Sequence, residues 1–223
     1  MIRKGDAGYL PEIRGNLYVS VVSDILDELG YRDQATNARI RPLDENLVLL
    51  GYARTGLYRD VYHVAPGENP YELEMALVDD LKPNDVPVFA CGFSGRIAPW
   101  GELLSTAAGA RGATGCLTDG LVRDIRAIRE MRFPVFHGGI GPLDSKGRGK
   151  VSEIDIPVVC AGVHVESGDL VFGDADGVVI IPKNVEEEVI SRSFEKVRGE
   201  NQTRAELRRG AMLRDVFARH GIL

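Results

Sequence analysis

Twenty residues lie between Glu102 and Arg123, and Asp124 follows the arginine directly. An acid, a span of that length and an Arg-Asp pair make a usable chemical set. Arginine grips a carboxylate or an enolate oxygen through two parallel N–H bonds. Aspartate offers the hard oxygen ligands that Mg²⁺ or Mn²⁺ takes. One β–α unit can return the chain so that Glu102 and Asp124 face a common site, and two carboxylates with an arginine suit a Mg²⁺ that keeps several waters. Pro99 and Gly101 keep bulk away from the start of ELLSTAAGA, a small-residue run that suits a close-packed helix. The first amides of a helix lack intrahelical acceptors and carry partial positive charge, so a small carboxylate could dock on residues 102 to 104. Plainer readings stay open. Many helices start this way and bind nothing, Asp119 could cap a helix, and Arg123 could pair with a surface acid.

Other chemistries find less support. The loop DSKGRGK (144–150) lacks the phosphate-loop spacing, since Val151 follows Gly149-Lys150. It reads as a solvated loop from which Lys146 or Arg148 could reach a site. GGIG (138–141) fails the dinucleotide pattern, because no glycine lies three residues after Gly141. None of the six lysines sits in a strand-like apolar run, which argues against a Schiff base. Cys91, Cys116 and Cys160 are widely spaced beside apolar runs and read as reduced core residues. The four histidines show no zinc-like spacing.

Helical periodicity over residues 17–29 ends at Gly30, a natural C-terminal stop. Strands are expected at 48–57, 86–90, 113–118 and 134–136, and helices at 70–81 and 121–131. Asp119-Gly120 reads as the turn between strand and helix, and 138–149 as a glycine-rich loop. Short β runs follow at 156–159, 163–165, 170–172 and 178–181. A charged helix over about 185–209 closes the pattern. The alternation predicts parallel β–α–β units in an α/β domain. The expected organisation is one domain, 1–183, with a C-terminal helical arm, 184–223, either at a subunit interface or packed on its own domain.

The formal net charge of -6 argues against a nucleic-acid partner. No apolar run approaches the roughly 20 residues that cross a bilayer, and MIRKGDAGYLPEIRG holds no signal core. No membrane association and a cytoplasmic location are therefore expected.

GELLSTAAGARGATGCLTDGLVRD (101–124) with SGDLVFGDADGVVIIP (167–182) resembles the RraA-like family. That family includes class II 4-hydroxy-4-methyl-2-oxoglutarate / 4-carboxy-4-hydroxy-2-oxoadipate aldolases and regulators of RNase E activity. The resemblance runs from VSDILDELG (22–30) to the C-terminus. It implies an α-β-β-α sandwich of the swivelling-domain type, assembled as a homotrimer or homohexamer with sites between subunits. In the aldolase branch an acid, twenty positions and Arg-Asp define the metal site. By that resemblance Asp124 ligates Mg²⁺ or Mn²⁺, with Glu102 acting through water. Arg123 holds substrate oxygens, and the Gly101 turn with the Leu103 and Leu104 backbone holds a pyruvyl carboxylate. Asn69 matches a substrate-side asparagine, and Glu200 an acid supplied across the interface. The implied activity is retro-aldol cleavage of a 4-hydroxy-2-oxo acid to pyruvate, with oxaloacetate decarboxylation beside it. The alternatives are a non-catalytic regulator that binds a ribonuclease, and a same-fold enzyme for another hydroxy-oxo acid. Two departures stand out: Glu102 replaces the usual Asp, and Ala127 stands where many members carry an acid.

Overall fold

The structure, a computed structural model, describes residues 3–221. It is organised by β2 (Leu49–Asp60), whose twelve residues show two buried phases. Leu49 and Ala53 point into an inner core, whereas Leu50 packs outward under a helical layer. That alternation follows from the period-2 geometry of a strand. Both edges of β2 are used. One edge pairs in parallel with β3 (Asp85–Ala90). The other pairs antiparallel with β9 (Leu170–Asp174) and then with β6 (Gly149–Ile154).

Beyond β3 come β4 (Cys116–Val122), β5 (Val135–Ile140) and the short β1 (Arg41–Pro42); beyond β9 comes β10 (Gly177–Ile181). The strands β2 to β5 are parallel neighbours, linked by α3 (Glu72–Asp79), α4 (Glu102–Ala110) and α5 (Ile125–Met131). These are the β–α–β units expected from the sequence. Their buried strands are nearly continuous in apolar residues, as in DVPVFA, because both faces are covered.

The sheet curls until its ends almost meet. Ala35 bridges to Val179 on β10, and six residues later Arg41 pairs with His137 on β5. The inner face is filled by a hairpin of β7 (Val158–Cys160) and β8 (Val163–Val165), whose apolar side chains join those of six surrounding strands. Outside lie two helical layers. One contains α1 (Tyr9–Asn16), α2 (Val19–Glu28) and α6 (Glu186–Arg208); the other contains α3, α4 and α5. The order is helix, sheet, sheet, helix, which is the expected α-β-β-α sandwich. A short α7 (Leu213–His220) packs on α6. No helix among the described residues is long and apolar enough to cross a membrane. All three cysteines are free, with Cys116 and Cys160 fully buried.

Two local expectations are corrected. Asp119-Gly120 is not a turn, and no helix starts at Leu121. β4 continues to Val122 through a bulge between Thr118 and Leu121, and α5 begins only at Ile125. The bulge turns the buried Asp119 carboxylate toward backbone donors, the amides of Cys91 and Ala161. Burial pushes this carboxyl upward in pKa, and the backbone donors pull it back. Residues 138–149 are likewise not one loop, since β5 extends to Ile140 and β6 starts at Gly149. Gly138 serves close packing: a methyl group there would lie 2.3 Å from the Asp119 carbonyl oxygen.

Asp119 also holds the hairpin. Its Ala161-Gly162 loop has φ of 53° and 88°, the left-handed pair a tight two-residue turn requires. Alanine pays for positive φ with strain, and here both of its peptide groups are fixed. Its amide donates to Asp119, and its carbonyl accepts from the Asn37 amide. Asp119→Ala should therefore leave two buried amides unpaired and lower unfolding free energy by about 3 kcal/mol. Asp119→Asn, which keeps acceptor oxygen, should cost less. Urea denaturation of the variants checks both.

Candidate active site

The end of β4 and the start of α4 approach each other as two more pieces of sheet. Trp100 bridges Val122 in parallel, and the Arg123 amide donates to the Trp100 carbonyl at 3.0 Å. Trp100 is fully buried, and its indole N–H donates to Ser105 at 2.8 Å. The Ser105 hydroxyl in turn donates to the Gly101 carbonyl at 2.9 Å. These bonds lock the first turn of α4 onto β4. A methyl group at Gly101 would sit 2.7 Å from Asp124 Oδ2 and 3.2 Å from Arg123 Cγ. Glycine is needed here for space, since its backbone is extended.

Arg123 and Asp124 therefore lie directly over the amino end of α4. The Glu102 amide donates to Asp124 Oδ2 at 3.3 Å. Arg123 Nε stands 3.8 Å from the same oxygen. Asp124 is the residue before α5 and adopts left-handed backbone, φ 59°. Aspartate tolerates that region better than most residues, and such positions collect at functional sites. Its side chain is 50% exposed, so the carboxylate stays open to a ligand. The usual helical acceptor of the Leu104 amide is the Trp100 carbonyl, which Arg123 already occupies. The chain thus sets an arginine, an aspartate and the free end of a helix around one opening.

The predicted residues divide into two groups. Gly101, Glu102, Leu103, Leu104, Arg123 and Asp124 come together. It is the backbone of Glu102 that touches Asp124, while its carboxylate accepts from the Thr106 hydroxyl at 2.8 Å. Glu102, Asp124 and Ala127 line one shallow depression, and Arg123, Asp124, Ile140 and Gly141 line its neighbour. Leu103 and Ile140 are exposed on the rim. Asn69 and Glu200 stand apart. Exposed Asn69 accepts from the Tyr71 amide at 3.1 Å, just before α3. Glu200, on α6, is engaged by the Tyr18 hydroxyl and by Arg204.

Four residues near the opening were not singled out from sequence: Asp144, Tyr71, Glu74 and Tyr58. The 141–148 loop sends an acid to Arg123, with Asp144 Oδ1 3.5 Å from Nη1. Arg148 instead donates to the Asp144 carbonyl at 3.2 Å. The Tyr71 hydroxyl donates to Asp144 Oδ2 at 2.6 Å. Burial alone would raise the Asp144 pKa, but Tyr71 and Arg123 outweigh it and hold the carboxyl below its usual range. Beneath them Glu74 is 7% exposed and accepts from the Tyr58 hydroxyl at 2.8 Å. Desolvation pushes Glu74 up to about 7, against the pull of Tyr58 and Arg123. A local cue existed only for Asp144, whose Asp-Ser pair suits an Asx turn.

The donor set fits a divalent cation that keeps most of its waters. Asp124 is open, Glu102 is close, and no cluster of three His, Cys, Asp or Glu residues among the described residues forms a protein cage.

Comparison with known proteins identifies the family. The family described as RraA-like, Aldolase/RraA, matches residues 19–180. The chain belongs to the RraA-like family. A Halalkalibacterium halodurans relative, provisionally named 4-hydroxy-4-methyl-2-oxoglutarate aldolase, is 37% identical over 78% of this chain and 77% of its own length. The 4-hydroxy-4-methyl-2-oxoglutarate aldolase of Thermus thermophilus is 33% identical over 41% of this chain and 56% of its own. Among solved structures, Streptomyces coelicolor RraAS2, described as an unusual member of the RNase ES inhibitor RraA family, superposes with TM-score 0.78. It covers 92% of this chain and 99% of that one at 24% identity, a likeness of fold. The core matched by the RraA-like family contains every residue of the Arg123 opening.

The raised pKa of Glu74 has a signed consequence. The folded state binds this proton more tightly than the unfolded state does. Glu74 therefore costs stability as pH rises from about 4.5 to about 7, and the cost stays constant above. Glu74→Gln should be more stable than wild type at pH 8 by roughly 2 kcal/mol, and the gap should close toward pH 5. Urea midpoints at the two pH values measure this.

Proposed function

We propose that this chain is a divalent-metal-dependent lyase. It cleaves a 4-hydroxy-2-oxo acid, such as 4-hydroxy-4-methyl-2-oxoglutarate, by retro-aldol reaction to pyruvate. The observation that carries the reading is the fixed stack of Arg123 and Asp124 over the amino end of α4 at Gly101. The aldolase names of the relatives at 37% and 33% identity support it.

In this reading the Leu103 and Leu104 amides bind the pyruvyl carboxylate, since the start of a helix favours an anion. Arg123 binds the 2-oxo oxygen, where negative charge grows as the carbon–carbon bond breaks. Asp124 would hold Mg²⁺ or Mn²⁺, with Glu102 beside it, and such a cation would supply Lewis-acid polarisation of the oxo group. The Glu102 carboxylate, fixed by Thr106, lies where a base, itself or a water beside it, takes the C4 hydroxyl proton. The C3–C4 bond breaks as the C4–O bond becomes a carbonyl; its electron pair forms the C2=C3 double bond, the C2=O π pair moves to the oxygen, and C3 later takes a proton to give pyruvate. Oxaloacetate decarboxylation releases CO₂ from C4 and leaves the same enolate, so it belongs to the same site. The Glu102 side chain is one methylene longer than Asp, and Ala127 offers no acid beside it; both bear on the distal half of the substrate.

The matching family description spans both aldolases and RraA, which keeps a non-catalytic regulator as the rival reading. One assay separates them. Wild type with Mg²⁺ should release pyruvate from 4-hydroxy-4-methyl-2-oxoglutarate and from oxaloacetate. EDTA should abolish the release, and added Mg²⁺ should restore it. Arg123→Ala and Asp124→Ala should each lower kcat/KM by about 10²- to 10³-fold. Pyruvate release near the wild-type rate from either variant would refute the assignment.

A further inference from the structure

Arg123 is steadied from two sides. Its Nε faces Asp124 at 3.8 Å and its Nη1 faces Asp144 at 3.5 Å. The Arg123 side chain is nonetheless 38% exposed, which leaves part of the guanidinium open to a ligand. Asp124 alone would be a poor anchor. It follows Arg123 directly in the chain, and its carboxylate already receives the Glu102 amide. Asp144 arrives from a different part of the fold, the loop between β5 and β6, and its own orientation is fixed. Tyr71 donates to Oδ2 at 2.6 Å, and the Ser145 amide donates to Oδ1 at 2.8 Å. Ser145 is itself buried, and its carbonyl accepts from the amides of Arg148 and Gly149, both at 2.8 Å. Tyr71 is set by Asn69 at the entry to α3. A chain of contacts therefore runs from α3 through the loop to the guanidinium.

We propose that Asp144, oriented by the Tyr71 hydroxyl, is a positioning residue that aims Arg123 at the substrate oxygen. The inference rests on the lyase reading above and extends it. It gives the 141–148 loop a working part in the site, and Asn69 an indirect one through Tyr71. The Arg123–Asp144 pair is about one-third exposed on each side, so its contribution to stability is small. Its effect is geometric, and small misplacements of a charge-stabilising group cost large factors in rate.

The test uses the full-length protein with Mg²⁺ and three variants: Asp144→Asn, Asp144→Glu and Tyr71→Phe. Pyruvate release from oxaloacetate gives kcat and KM. Calorimetric titration with oxalate, a planar dianion like the enolate, reads the bound state without turnover. Thermal melting checks folding. Asp144→Asn should lose at least about tenfold in kcat and bind oxalate more weakly, with a wild-type melt. Asp144→Glu should recover part of the rate, and Tyr71→Phe, which keeps the charge, should lose about threefold. Wild-type kcat and oxalate affinity in Asp144→Asn would overturn the inference while leaving the lyase reading intact. If Asp144→Asn melts early, Tyr71→Phe decides: an unchanged kcat overturns the inference. Failure of the wild type itself to release pyruvate would overturn the lyase reading and the inference together.

Discussion

A methyl group does not fit at Gly101, because the Asp124 carboxylate and the Arg123 side chain already occupy that space. This close approach is the constraint around which the candidate site is arranged. It requires Trp100 to run beside Val122 as a strand would, and it leaves the first turn of α4 facing the Arg-Asp pair. The buried Trp100–Ser105–Gly101 bonds make the approach rigid, since each buried polar group there has a partner. An opening of this kind is preorganised: its charges are held before any ligand arrives. Such charges act strongly on an oxygen that becomes negative only during reaction.

The ionic groups around Arg123 are graded by depth. Asp124 and Asp144 lie near solvent, where charge is inexpensive, and Glu74 lies beneath them, where it is not. Desolvation pushes the Glu74 pKa up, and Tyr58 is its hydrogen-bond donor. A fold tuned for stability alone would place a neutral side chain there. The curled sheet below shows a different economy. Its inner face is sealed by an apolar hairpin, and the buried Asp119 carboxylate is satisfied by backbone amides.

Much of the site was legible in the sequence because it depends on short-range spacing. The acid at 102, the twenty-residue interval and Arg123-Asp124 mark the start of α4 and the end of β4, the two ends of one α–β step that packs back on itself. The helix α2 followed from apolar periodicity, with Gly30 ending it in left-handed backbone, and α6 followed from a long charged run. The failures share one cause. Glycine has two meanings, turn and close packing, and a sequence shows only the residue. At Gly120, Gly138 and Gly139 the second meaning holds: a methyl group at each would lie within 3 Å of a neighbour that belongs to another strand or segment. A turn was therefore read where β4 bulges, and a loop where β5 continues.

The sequence by itself determined the alternation of strands and helices, the reduced cysteines, and the pairing of Arg123 and Asp124 with a helix start at Gly101. Those features depend on periodicity and on neighbours within one β–α unit. Only the tertiary structure decided which loop supplies the second anion of Arg123. Lys146 and Arg148 were the conspicuous charges of the 144–150 segment, yet Asp144 is the residue that turns inward. The reason is electrostatic and geometric. A loop fixed at one end by β5 and at the other by β6 passes Arg123 with one face only. The acid gains there from a fixed cation and a tyrosine hydroxyl that sequence places far away.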